Sequence, residues 1–144
     1  MEEQDTVKLL RECDAGIKVG IGAIEDVLEY VSDNTLKKYL TDCKNEHADI
    51  QMEIQALLDE YNDEGKDPNL MAKGMSWMKT SVKLVINESD HTIAGLITDG
   101  CNMGVKSLNK YLNQYKAANK KSREITKRLI ELEDKLVDDI RRFL

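Results

Sequence analysis

Residues 36–61, LKKYLTDCKNEHADIQMEIQALLDEY, decide the fold. Read in alternating four- and three-residue steps, they give Leu36, Leu40, Cys43, His47, Ile50, Ile54, Leu57 and Tyr61. Such steps stack side chains on one face of an α-helix. The positions between them carry mainly Lys, Asp, Glu, Asn and Gln, so the stretch predicts an amphipathic helix from Leu36 to Tyr61. Its partner lies just upstream. Leu10, Asp14, Ile17, Ile21, Ile24, Leu28 and Val31 form a second seam, in a helix expected from Asp5 to Val31. Ser32-Asp33-Asn34-Thr35 between them is a short polar break rich in helix-capping residues. Two helices, each on the order of 40 Å long, joined by so short a turn make an antiparallel hairpin.

The second half repeats the plan with a different linker. Asn62 to Asn69 (NDEGKDPN) is the clearest break, with Gly65 placed to stop the second helix and Pro68 to open the next one. A shorter helix is expected from Leu70 to Val85, with Met71, Met75, Met78, Val82 and Val85 on one face and Trp77 beside them. Glu88-Ser89-Asp90 offers a cap for a long helix reaching about Tyr115. After a break at Ala117–Lys121, a last helix carries Ile125, Leu129, Leu132, Leu136, Ile140 and Phe143. The expected architecture is all-α, one domain over 1–144: a ferritin-like four-helix bundle with a short crossover helix between the second and third long helices. A plain up-down bundle with a fifth packed helix is the alternative.

The totals agree. Of 144 residues 33% are charged, with one Pro, one Phe and one Trp, which favours helices over sheets. A net charge of −6 argues against a general nucleic-acid binder. No apolar run approaches the roughly 20 residues of a membrane helix. The acidic start, MEEQDTVKLL, has no signal-peptide core, so a cytoplasmic location is expected, and three dispersed Cys suit a reducing compartment. No Gly-x-Ser-x-Gly turn and no phosphate loop occurs. The basic corner Lys116–Arg128 and the acidic face Glu131–Asp139 read as solvated surface, and a homo-oligomer through an outer helix face is allowed.

Chemistry is confined to polar residues that interrupt the seams. An ionisable group on an apolar face must find a partner, change protonation state or bind a metal. Asp14 and His47 interrupt the first two helices and Glu133 the last; on the third, Asp99 lies at the edge of the apolar arc and Cys101 nearer its middle. Carboxylates and an imidazole converging inside a bundle suit a divalent metal such as zinc, iron or manganese. Cys43 and His47, four residues apart, could hold zinc from one helix. The metal candidates are therefore Asp14, His47, Asp99, Glu133, Cys43 and Cys101. A full two-metal centre needs Glu-x-x-His pairs, and here Lys44 and Ile130 stand three residues before His47 and Glu133. With the turn near Asp33, His47 is level with about Val19 and Asp14 with about Met52, an offset of roughly 7 to 8 Å. The same reckoning separates Cys13 from Cys43 too far for a disulfide. Gly16, Gly20 and Gly22 each cost the first helix up to about 1 kcal/mol, and close helix approach is the expected compensation.

The stretches CDAGIKVGIGAIEDVLEYV, NEHADIQMEI, MAKGMSWMKT and LITDGCNMGVKSLNKYL together resemble a group of bacterial ferritin-like proteins without an assigned activity. The resemblance implies a ferritin-like bundle with Asp14, His47, Asp99 and Glu133 as its inner polar positions, and implies no activity. The expected function is binding of a metal ion or small ligand in the bundle core, without established catalysis. The alternative is a structural or interaction module whose buried polar residues only fix helix register.

Overall fold

Polar clamps at the two ends show how the bundle is wound. The computed structural model describes residues 1–63 and 89–144. It holds α1 (Glu2–Leu28), α2 (Asn34–Glu60), α3 (Asp90–Gln114) and α4 (Lys120–Ile140), then a 3-10 turn at Arg141–Phe143. At one end the Asp90 carboxylate accepts the backbone N–H groups of Ser32 and Asp33, each at 2.8 Å. The start of α3 is thereby held at the turn that ends α1. At the other end, Asp5 accepts from the Ala117 N–H at 2.9 Å and Thr6 from the Asn119 N–H at 2.8 Å. The α3–α4 turn is thereby held at the start of α1, where Arg11 also meets Asp63 just beyond α2.

It follows that α1 and α4 run one way and α2 and α3 the other. Residues 63 and 89 lie at opposite ends of the bundle, whose helices are on the order of 40 Å long. Around the ring, α1 packs on α2 and α3, and α4 closes it against both. The expected short helix Leu70–Val85, its Met stripe, Trp77, Gly65 and Pro68 lie outside the described residues. Among those described, no helix is long and apolar enough to cross a membrane.

Local chemistry sets the helix ends. The Asp33 carboxylate caps α2 by accepting from the N–H groups of Thr35 and Leu36. Asn119 caps α4 through Ser122. Ser89 precedes α3 without a side-chain cap, and Asp90 spends its carboxylate across the bundle instead. α1 begins at Glu2 rather than Asp5, with Glu2, Glu3 and Asp5 in the first turn where the helix dipole favours acids. α2 ends before Gly65. Asn62 takes the left-handed conformation (φ 54°), and the Asp63 N–H returns to the Leu58 carbonyl at 3.0 Å. That is a Schellman ending with Asn in the position usually given to Gly.

The core is aliphatic. Leu9, Leu10, Ile17, Leu36, Leu40, Ile54, Leu58, Ile93, Ile125, Leu129 and Ile140 are essentially inaccessible. Among the described residues six polar ones share this interior: Thr6, Asp14, His47, Ser122, Thr126 and Glu133.

Candidate functional site: a cleft floored by His47 and Glu133

His47 is held by its own helix. Its Nδ1 lies 2.8 Å from the Cys43 carbonyl oxygen and 3.4 Å from the Cys43 thiol. A carbonyl only accepts, so Nδ1 carries a proton and donates it. The other nitrogen is thereby freed to face the bundle centre, where Nε2 stands 3.9 Å from Glu133 Oε1 on α4. That is too far for a direct hydrogen bond. The second Glu133 oxygen, Oε2, is buried with no hydrogen-bond partner.

Glycines face both members of this pair, and at Gly104 there is no room for a side chain. A Cβ at Gly20 on α1 would come 3.5 Å from His47 Nε2. A Cβ at Gly104 on α3 would overlap the Glu133 carboxylate, 2.9 Å from Cδ and closer still to Oε2. The imidazole and the carboxyl thus sit where α1 and α3 have dispensed with side chains. Above them lies a half-enclosed cleft of about 350 Å³ between α1 and α3. Gly16, Val19 and Ala23 line one wall, Gly100, Cys101 and Leu108 the other, and Met103, 68% exposed, stands at the mouth. The walls are largely apolar and the volume falls in the range of small-molecule pockets.

The electrostatics reflect burial and proximity. Burial pulls the His47 pKa down, but the Cys43 contacts and the Glu133 carboxyl outweigh it and raise it from 6.5 to about 10. Burial pushes Glu133 up from the usual carboxylate range, with His47 opposing. Burial also raises Cys101, next to the Glu133 charge, so its thiol stays protonated and unreactive. Among the described residues the cleft is lined by Glu12, Asp26 and Glu133 and by no Lys or Arg.

The other candidates lie elsewhere. Asp14 is fully buried, but its Oδ2 accepts from Lys18 Nζ at 2.8 Å on the same helix, and it does not line the cleft. It is six residues from Gly20, roughly 9 Å along α1. Asp99 is exposed on α3. Cys43 sits behind His47, and Cys101 borders the cleft. Cys13 is bonded to Thr126 at 3.2 Å, and all three cysteines are free. Among the described residues no group of three or more His, Cys, Asp or Glu is arranged to hold a metal ion. Among the described residues His47 meets Glu133 through Nε2 and the Cys43 thiol through Nδ1, which is short of a metal's ligand set.

Gly16 and Gly20 on α1 correct the expectation of close helix approach. A Cβ at Gly16 would meet nothing within 4 Å, and one at Gly20 only ordinary contact with His47. These residues open a cleft instead of closing a seam. The signal was present as two glycine pairs at four-residue spacing, Gly16/Gly20 and Gly100/Gly104, one on each wall. Gly16→Ala should therefore stabilise the fold, by up to about 1 kcal/mol in urea denaturation, because helix propensity rises with no clash. A loss of stability would show that the position is packed.

Comparison of the chain with protein-family models, with curated proteins and with solved structures returns no match.

Proposed function

We propose that the chain is a ferritin-like bundle that binds a small, largely apolar molecule in the cleft between α1 and α3, over the His47–Glu133 floor. The parallel run of α2 and α3, which demands one long crossover, supports the ferritin-like part. The observation that carries the binding part is the buried, unpartnered Glu133 Oε2 at the base of an apolar cleft walled by glycines. A buried acceptor without a donor costs the fold free energy, and a ligand donor would recover it. Glycines that weaken two helices while opening space fit a binding role better than a packing role. Three free cysteines support a reducing, cytoplasmic setting.

N-phenyl-1-naphthylamine, an apolar fluorophore, tests this reading. Its emission should rise on mixing with the protein and saturate at one equivalent. Gly16→Leu, which fills the cleft from the α1 wall, should remove that rise. No saturable rise, or one that survives Gly16→Leu in a folded protein, would contradict the reading.

A further inference from the structure

The floor of the cleft selects the polar end of its ligand. The Nδ1 proton of His47 is committed to the Cys43 carbonyl in every protonation state. Two arrangements of the remaining proton are then open to the pair. With a cationic imidazole and a carboxylate, Nε2–H donates and Glu133 accepts. With a neutral imidazole and a protonated carboxyl, Nε2 accepts and Glu133 donates. Either way the floor offers one donor and one acceptor, side by side and 3.9 Å apart. An oxygen at about 2.8 Å from both closes a triangle on that base.

Resting on the binding reading above, we infer that the ligand is an uncharged apolar molecule ending in a hydroxyl, whose oxygen bridges His47 Nε2 and the Glu133 carboxyl. A hydroxyl both accepts and donates, so it matches the floor without a change of protonation. An ammonium only donates and leaves His47 Nε2–H facing a cation. A carboxylate only accepts, so it meets the Glu133 carboxyl, and Asp26 on the cleft lining adds like charge. A ketone accepts from the donor and leaves the acceptor empty. Glu133 Oε1, 3.9 Å from His47 Nε2 and beyond hydrogen-bond reach of it, is the carboxyl oxygen that the hydroxyl meets.

Displacement of N-phenyl-1-naphthylamine by four eight-carbon probes tests the inference at pH 7: 1-octanol, 2-octanone, octanoate and octylamine. 1-Octanol should bind about tenfold more tightly than either ionised probe, and about fivefold more tightly than 2-octanone. Glu133→Leu should erase the advantage of 1-octanol over 2-octanone, read as the ratio of their displacement constants on that variant. Equal or tighter binding of octanoate, octylamine or 2-octanone would overturn the hydroxyl inference while the cleft reading stands. Fluorophore binding with no displacement by any probe would also overturn the inference. Absence of fluorophore binding would overturn the cleft reading and the inference with it. Gly16→Ala, which adds one methyl to the wall, provides a second cleft variant should Gly16→Leu not fold, and should weaken all four probes together.

Discussion

Lys18→Met should destabilise the protein by roughly 2 to 3 kcal/mol, although Lys18 is a partly exposed residue and the change keeps its apolar stem. The reason is Asp14. Its carboxylate has no exposure to water, its Oδ1 has no partner, and Lys18 Nζ at 2.8 Å is the group that balances its charge. Removing one partner of a buried ion pair leaves the other charge uncompensated, which costs far more than the pair contributes. Lys18 keeps about a third of its side chain in solvent, so the effect belongs at the lower end of the buried range. The control is Asp14→Asn, which keeps the shape and removes the charge. In that background Lys18→Met should cost under about 1 kcal/mol, so a double-mutant cycle in urea should return a coupling of roughly 2 kcal/mol. A cost for Lys18→Met that is the same in both backgrounds would show that Lys18 does not hold Asp14.

Glu133→Gln should flatten the pH dependence of stability on the alkaline side of neutrality. The folded His47 value, about 10, lies above its ordinary 6.5. A raised value contributes stability that is complete below 6.5 and is lost as pH rises through 10. Between pH 6.5 and 8.5 the unfolded imidazole has shed its proton and the folded one has not. The wild-type protein should therefore lose roughly 2 kcal/mol across that window. The contribution of Glu133 begins to fall from its ordinary 4.5, because its folded value is also raised. Cys13, raised from 9.0 to about 12 by burial, and Cys101, raised likewise, add losses only above about pH 9. Removing the Glu133 carboxylate leaves burial to pull His47 down against the Cys43 contacts alone. The slope from 6.5 to 8.5 should shrink, and the His47 ring carbons should titrate well below 10 by NMR. An unchanged slope together with an unchanged ring titration would show that Glu133 does not hold the proton on His47.

The long helices were legible because their seams are long and their breaks carry caps. Asp33 and Asn119 act as caps where the polar breaks were expected, and His47, Asp14 and Glu133 are all interior. α2 ends within one residue of the expected Tyr61, but Asn62 and not Gly65 stops it, because Asn can take a left-handed backbone as Gly does. On α3, four of the eight residues from Leu96 to Met103 are Thr, Asp, Gly or Asn, so few apolar residues mark the inner face there. The weak pattern still put Cys101 nearer the middle of the arc and Asp99 at its edge, and the structure buries the thiol and exposes the acid. The glycines posed a different difficulty. A missing side chain permits close approach or a void, and only the distance between two helices decides which. The meeting of His47 with Glu133 depends on how α2 and α4 are set against each other. No spacing within either helix contains that information. Gly20 beside His47, one residue from the level reckoned at Val19, shows how far hairpin geometry alone could reach.

Whether the cleft between α1 and α3 takes a small apolar molecule onto His47 and Glu133 is tested most directly by NMR of the isotope-labelled protein titrated with N-phenyl-1-naphthylamine. The amides of Gly16, Gly20, Gly100 and Gly104 and the His47 ring should shift together and saturate at one equivalent. Shifts confined to other surfaces, or none at these five residues at saturation, would contradict the cleft reading.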